Sequence, residues 1–143
     1  MQKFTFNMQK ILNLRRFEEK QAQAELGKAV SNETQIKNTL DLIARQNVQT
    51  VQNASGIKNP SELFNLNNYL RLLSQRKEKL LQDLAKAHIE TEQKREKMRE
   101  AMMKVKALEK LREVRQTEWA QENRRREEKE LDEISNSKQL RQG

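Results

Sequence analysis

The chain has 143 residues, of which 35% are charged and only 34% hydrophobic, and its formal net charge is +8. This composition is too polar for a compact globular core and is typical of long solvated helices with one narrow apolar stripe. The absence of cysteine excludes disulfides and fits a reducing compartment. No apolar run approaches the roughly 20 residues of a membrane-spanning helix, and polar residues interrupt the N-terminal apolar segment where a signal peptide has its core. We therefore expect a cytoplasmic protein, with peripheral membrane contact left open.

The first third of the chain carries a heptad pattern, in which stripe positions recur at alternating spacings of four and three. Charged residues such as Arg15, Glu19 and Glu33 interrupt the stripe, but its period predicts an amphipathic helix over about 5–54. The positions of this first seam are Met8, Leu12, Arg15, Glu19, Ala22, Leu26, Ala29, Glu33, Ile36, Leu40, Ile43, Asn47, Thr50 and Ala54.

Residues 55–60 are the strongest break in the pattern and predict a turn. Gly56 suits the left-handed conformation found at the C-terminus of a helix. Asn59 suits the cap of the next helix, Pro60 suits its first position, and Glu62 favours its first turn. A short connection between two long helices makes them antiparallel neighbours.

A stronger heptad seam follows the turn, in a helix that the pattern places at about 61–134. Ten of its thirteen positions are apolar, and so sustained a seam argues against the disorder that low hydrophobicity otherwise favours. The positions of this second seam are Leu66, Leu70, Leu73, Lys77, Leu80, Leu84, Ala87, Thr91, Lys94, Met98, Ala101, Val105 and Leu108.

Together the two seams predict an all-α fold, a long antiparallel two-helix coiled-coil hairpin that forms one unit over 1–143. A turn centred near Ile57 and Lys58 places Met8 opposite about Ala107. The second helix then extends past the first as a C-terminal helical overhang, residues 108–134. The Ser-Asn-Ser sequence at 135–137 predicts the end of that helix, and we expect residues 135–143 to fray.

The sequence lacks the residue patterns of a catalytic or metal site. His88 is the only histidine and has no cysteine with which to share a metal ion. No glycine-rich phosphate loop is present, and paired carboxylates such as Glu18 and Glu19 lie on a solvated helix face. We therefore expect no enzyme activity, no metal and no cofactor.

The positive charge is unevenly distributed. Residues 1–107 hold 20 basic and 12 acidic residues, whereas residues 108–143 hold nine of each. A basic coiled coil can bind nucleic acid or an anionic membrane. Interleaved glutamates and the scarcity of aromatic residues favour a solvated face instead, and we expect no nucleic-acid partner.

The overhang carries two features with open interpretations. Trp119 falls on the extrapolated second seam, and is either an exposed interface anchor or packs against a neighbouring copy or its own helix. The basic cluster at 124–126 is followed at once by Glu127 and Glu128. Helical spacing allows this cluster to pair with its own acidic neighbours, although a docking role is also open.

Apolar residues outside the seams indicate a surface near the turn. The predicted register places Leu42 beside Leu73 and Leu72 beside Ile43, with Tyr69 on the same side. These side chains form either a wider buried stripe or an intermolecular docking patch. The polar residues nearby are Arg45, Gln49 and Arg76.

Both ends of the chain carry short segments in a characteristic order. FTFNMQKILNLR at 4–15, EEK at 18–20 and AQAEL at 22–26 open the chain, and LEKLR at 108–112 and KELDE at 129–133 lie near its end. Together they resemble the flagellar export protein family FliJ. The length, the absence of cysteine and the predicted hairpin also match that family, so the resemblance covers nearly the whole chain.

The resemblance implies a soluble component of the flagellar type III export apparatus, similar to the central stalk of rotary ATPases. The partners it implies are the hexameric export ATPase, the integral-membrane export gate and export chaperones, at the cytoplasmic face of the membrane at the flagellar base. Such a protein is needed for flagellum assembly, and hence for motility and chemotaxis. Self-association through the overhang is left open. Two alternative functions also stay open: a basic coiled-coil module for nucleic acid or anionic membrane, and a structural oligomerisation coiled coil.

The resemblance also implies two contact surfaces. The gate-binding surface lies near the tip of the hairpin and overlaps the apolar residues near the turn. Together the two sets comprise Leu42, Arg45, Gln49, Tyr69, Leu72, Leu73 and Arg76. The ATPase contact is expected at the end that carries the N-terminus and the overhang, where the candidates are Arg15, Arg16, Arg112, Arg115, Trp119, Arg124, Arg125 and Arg126.

Overall fold

The computed structural model describes residues 3–142, with Gln142 described by its backbone alone. Two helices, α1 (Gln9–Asn53) and α2 (Pro60–Gln142), pack against each other, and the described residues contain no strand. The predicted all-α two-helix hairpin is therefore confirmed. Within the described residues, neither helix has an apolar stretch long enough to cross a membrane.

The turn between the helices uses the residues that the sequence predicts. Gly56 has a φ of 118°, a backbone conformation that glycine adopts without steric cost. The backbone N–H of Ser61 donates to Asn59 Oδ1 at 3.0 Å, so Asn59 caps α2 and Pro60 is its first residue. These local preferences fix where the chain reverses direction.

The outer ends of the helices differ from the predicted bounds. α1 begins at Gln9 rather than near residue 5, because residues 3–6 are irregular and the N–H of Gln9 bonds the carbonyl of Phe6 at 3.1 Å. α2 continues to Gln142 rather than ending near 134. Serine and asparagine inside a helix cost only a few tenths of a kcal/mol each, roughly, so 135–137 do not stop it. Gly143 lies outside the described residues.

The described residues divide into two compact units. Unit 1 comprises the described residues up to 19 and from 100 onward, and unit 2 comprises residues 20–99. Each unit contains a stretch of both helices, since a narrow coiled coil brings together only side chains at similar levels along its axis. The two units are described separately below.

The interior of unit 2 follows the predicted seams. Its buried residues are Ala29, Glu33, Ile43, Leu73, Ala87 and Thr91, and all six are seam positions. Lys77 is the one predicted seam position of this unit that the structure leaves exposed. Only two of the six, Ile43 and Leu73, carry large apolar side chains, so burial of apolar surface is modest and polar contacts have a correspondingly large part in fixing the pairing.

A partly buried polar contact joins the two helices of unit 2. The Glu33 residue is only 9% exposed, and its Oε1 atom lies 2.9 Å from His88 Nδ1. The hydrogen bond with His88, and then the Thr91 hydroxyl, lower the pKa of Glu33 below its ordinary value. Nearby, Lys94 Nζ lies 3.1 Å from Glu25 Oε2 and lowers the pKa of Glu25 in the same way. Sliding one helix past the other would separate these charges, so they favour a single register.

The register differs from the predicted one by about six residues, or nearly two helical turns. The prediction places Met8 opposite Ala107, whereas in unit 1 Arg112 Nε donates to Gln9 Oε1 at 3.1 Å. In unit 2 the helices meet at Glu33 and His88. The difference arises at the start of α2, where residues 60–65 are all exposed. These residues belong to the tip and precede the first seam position, so the turn is effectively longer than the sequence suggested.

The lowered pKa of Glu33 predicts how stability depends on pH. A lowered pKa means that the folded state disfavours the protonated carboxyl. Its contribution to the free energy of unfolding is therefore full above the ordinary value of 4.5 and is lost as pH falls through the lower folded value. When the pH is lowered from about 7 to about 3, the free energy of unfolding should fall less for Glu33→Gln than for the wild type. Urea denaturation followed by circular dichroism measures this difference.

The matched control is Glu92→Gln, because Glu92 pairs only with Arg95 of its own helix, in an exposed contact of 3.1 Å. This variant should retain the pH dependence of the wild type. Equal pH dependence in the Glu33 variant and the wild type would contradict a role for the Glu33–His88 contact in holding the helices together.

Candidate functional site

Near the turn, unit 2 presents the residues that the sequence singled out as a docking surface. We call Leu42, Arg45, Gln49, Tyr69, Leu72 and Arg76 the tip patch. Its three apolar members are well exposed, with Leu42 at 54%, Tyr69 at 42% and Leu72 at 44%. The alternative of a wider buried stripe therefore does not describe them. Leu73 differs, because it is only 1% exposed and lies in the core beneath the surface.

The register brings the two halves of the tip patch to the same level. Counted along both helices from the Glu33–His88 contact, Arg45 lies level with Arg76 and Gln49 lies level with Leu72. Leu42 lies level with about Lys79 rather than beside Leu73, which corrects the predicted neighbour by about six residues, or nearly two turns.

Helical spacing places the tip patch on one face of unit 2. Leu42 and Gln49 are seven residues apart on α1, and Tyr69, Leu72 and Arg76 follow at three and four residues on α2. In an antiparallel coiled coil, Tyr69 and Arg76 flank the seam, and Leu42, Gln49 and Leu72 lie one step farther out on the same side of both helices. Arg45 lies at the outer edge of this face, at the heptad position that points away from the seam. The patch thus combines apolar side chains from two helices with polar groups between them.

The arginines of the tip patch keep most of their surface in solvent. Arg45 Nη2 lies 3.0 Å from Asp41 Oδ2, but the arginine side chain remains 78% exposed. An exposed pair between residues four apart contributes only about 0.3–0.5 kcal/mol, so it does not prevent the guanidinium from reaching a partner. Exposed tyrosine and arginine side chains are among the residue types that anchor protein interfaces, and the leucines add apolar area beside them.

Sequence reasoning missed other exposed apolar side chains near the turn. Val48 is 58% exposed, Val51 53% and Phe64 66%. Val48 and Val51 flank the first seam on the side away from Leu42 and Gln49. The three-residue spacing of the two valines beside a seam could have indicated a second exposed apolar face. The signal is ambiguous because valine also fits a buried stripe.

In unit 1 the N-terminal segment folds against α2. The Phe4 ring lies 6.0 Å from the Trp119 ring, measured between centroids and tilted by 56°. The guanidinium of Arg112 lies 5.7 Å from the centroid of Phe4 while Arg112 also bonds Gln9. These contacts fix residues 4–9 along α2 and partly bury the indole.

The position of Trp119 corrects two expectations about the overhang. The sequence left Trp119 as an exposed anchor or as packed on a neighbouring copy or its own helix. In the structure it is half-buried against Phe4 of the same chain. The predicted register did not place these two residues together. The helix is uncovered only from residue 124, since residues 124–141 are all exposed, rather than from residue 108.

The remaining candidate ATPase contacts are mostly paired arginines of unit 1. Arg16 contacts Glu109 across the helices at 3.4 Å, Arg15 contacts Glu18 at 3.0 Å, and Arg126 contacts Glu122 at 3.3 Å. Arg115 lies 3.9 Å from Glu118. We call the eight candidates the base surface: Arg15, Arg16, Arg112, Arg115, Trp119, Arg124, Arg125 and Arg126.

The concave features of unit 1 are open rather than enclosed. A cleft of about 470 Å³ lies between residues 3–8 and α2, lined on the α2 side by Leu111, Arg115, Glu118, Trp119 and Glu122. Across residues 3–142, no group of three or more histidine, cysteine or acidic side chains is arranged to hold a metal ion. The geometry favours contact with another macromolecule over chemistry in a pocket.

Comparison with known proteins gives one match. The family model described as "Flagellar FliJ protein" matches residues 4–143. No curated protein and no solved structure matches the chain.

The Phe4–Trp119 contact predicts a fluorescence change. Trp119 is the only tryptophan, so Phe4→Ala should shift the emission to longer wavelength as water reaches the indole. The control is Phe64→Ala, whose ring is 66% exposed in unit 2, and it should leave the spectrum unchanged. Identical emission from Phe4→Ala and the wild type would contradict the packing of the N-terminal segment on α2.

Proposed function

The chain belongs to the FliJ family of flagellar proteins, and we propose that it serves the flagellar type III export apparatus as a stalk-like coiled coil. The observation that carries the proposal is the family match over residues 4–143, in a chain that folds as two long packed helices. A protein of this kind acts by contact, because a two-helix layer has surfaces and grooves but no enclosed interior.

We assign the contact with the hexameric export ATPase to the base surface. Arg124 and Arg125 are exposed on the part of α2 that no other described residue covers, and Arg115 is exposed beside the cleft. Charged groups on a rigid helix give complementary, salt-sensitive contacts that form and break quickly. Such contacts suit a stalk held inside a ring better than a large apolar interface would.

We assign the contact with the membrane export gate to the tip patch. Its exposed Leu42, Tyr69 and Leu72 supply an apolar centre, and Arg45 and Arg76 supply charge at the same level. An apolar centre with a polar rim is the common composition of a docking site. Leu73 supports this surface from the core and does not itself touch the gate.

The remaining roles follow from the same assignment. The chain acts without catalysing a reaction, also contacts export chaperones, and works peripherally at the cytoplasmic face of the membrane at the flagellar base. Its loss should prevent flagellum assembly and therefore motility and chemotaxis.

Two double variants separate the two contacts. Leu42→Ala with Tyr69→Ala should weaken gate binding at least about tenfold and abolish motility, while ATP hydrolysis by the export ATPase is stimulated as by the wild type. Arg124→Glu with Arg125→Glu should do the reverse, with lost stimulation and retained gate binding. Helicity, read by circular dichroism, should be unchanged in both because all four side chains are exposed.

The matched controls are Ile89→Ala, a 58% exposed isoleucine of unit 2 outside the tip patch, and Lys138→Glu, a charge reversal on the overhang outside the arginine cluster. Both should bind and stimulate like the wild type. Normal motility of the Leu42/Tyr69 variant would remove the tip patch from the proposal. A wild-type protein that is folded but binds neither partner would contradict the stalk function itself.

A further inference from the structure

A second apolar surface lies in unit 1, next to the base surface. Ile11 is 42% exposed, Leu14 51% and Val114 46%, and Leu111 between them is half-buried. We call these four residues the lateral patch. Exposed aliphatic side chains on two adjacent helices are a common sign of an interface.

The four side chains share one face; Ile11, Leu14 and Leu111 lie within about one helical turn of the same level, and Val114 lies a further turn along α2. The Gln9–Arg112 and Arg16–Glu109 contacts bracket Ile11 and Leu14 on α1 and hold them alongside Leu111 on α2. Arg16 and Glu109 pair across one face of the coiled coil. The lateral patch occupies the heptad positions that flank the seam on the opposite face, so it borders the groove between the two helices, which is where a third helix packs.

The surroundings of the lateral patch are basic. Lys104 is exposed on the same side and Lys10 and Lys110 are exposed on the adjoining outer faces of the two helices, and among the described residues none of the three forms an ion pair. A helix that packs in this groove should therefore carry apolar residues together with negative charge.

The uncovered end of α2 has this chemistry. Residues 127–133 hold five carboxylates and one lysine, and the exposed Leu131 (65%) and Ile134 (56%) lie on one side of the helix. The same chain cannot use this segment on its own lateral patch. Leu111 and Leu131 belong to one continuous helix, twenty residues or about 30 Å apart along its axis.

We propose that the occupant of the lateral patch is the acidic end of α2 from a second copy of this chain. Leu131 of one copy packs on Leu111 of the other and Ile134 packs near Leu14, and the exchange is reciprocal because each copy carries both surfaces. The result is a closed, two-fold, antiparallel pair. Placing Leu131 opposite Leu111 sets Asp132 opposite Lys110.

The proposed pair also accounts for the charge pattern between the two segments. With the same alignment Arg124 lies opposite Glu118, so the basic cluster of one copy meets an acidic residue of the other. The pair would cover part of the base surface. Association should therefore compete with the proposed binding of the export ATPase. That competition rests on the proposed function, whereas the pairing of two copies does not.

Sedimentation velocity of the full chain tests the proposal. From about 1 µM to about 1 mM, the range in which small interfaces dissociate, the wild type should shift from monomer to dimer, and less so at high salt. Leu131→Ala with Ile134→Ala should raise the dissociation constant at least about tenfold. The control Leu140→Ala, an 84% exposed leucine on the same segment, should leave it unchanged.

A charge exchange tests the pairing itself. Lys104→Glu with Lys110→Glu makes the lateral patch acidic, and Glu130→Lys with Glu133→Lys makes the end of α2 basic. Each variant alone should stay monomeric, and an equimolar mixture should form mixed dimers because both interfaces then join opposite charges. A monomeric wild type throughout, a dimer that Leu131→Ala with Ile134→Ala leaves intact, or a mixture that stays monomeric would each overturn the proposal. Overturning it would leave an acidic helix of another protein as the occupant.

Discussion

The pairing of two amphipathic seams is the constraint from which the rest of this structure follows. Neither helix can bury its apolar stripe alone, since a helix in water leaves every face solvated. Antiparallel pairing satisfies both stripes, and the partly buried Glu33–His88 and adjacent Glu25–Lys94 contacts favour one register among the several that the apolar residues alone would tolerate. That register places Arg45 level with Arg76 in unit 2 and brings Gln9 into contact with Arg112 in unit 1.

A core this narrow leaves many apolar side chains with nothing to cover them. In a globular domain a third layer would bury Leu42, Leu72, Leu14 and Val114. Here they remain between 44% and 54% exposed, at heptad positions beside the seam. Exposing aliphatic surface to water costs about 25 cal/mol per Å². Because these side chains are grouped beside polar and charged residues, we interpret the groups as binding surfaces. A role in flagellar export fits a molecule whose candidate binding residues lie on its surface.

Much of this arrangement could be predicted from local sequence signals. The heptad spacing identified nearly all of the buried positions, and Gly56, Asn59 and Pro60 located the turn, because these signals depend on neighbours within one or two helical turns. The register could not be read in the same way. It depends on how far α2 extends before its first seam residue meets α1, and residues 60–65 carry no local signal of this. The same error concealed the Phe4–Trp119 contact, since an irregular segment of six residues has no period to detect. The residues of the tip patch still form one surface in the corrected register, because all of them lie within a few helical turns of each other.

The register is tested most directly by engineered cysteines, because the chain has none of its own. Gln9→Cys with Arg112→Cys places a pair where the helices meet in the structure. Gln9→Cys with Lys106→Cys places one where the sequence-based register would meet, about 9 Å away along α2. A short bismaleimide should join the first pair within one chain much faster than the second, as judged by mass spectrometry of the monomer. Faster joining of the second pair would contradict the register, and with it the placement of every surface described above.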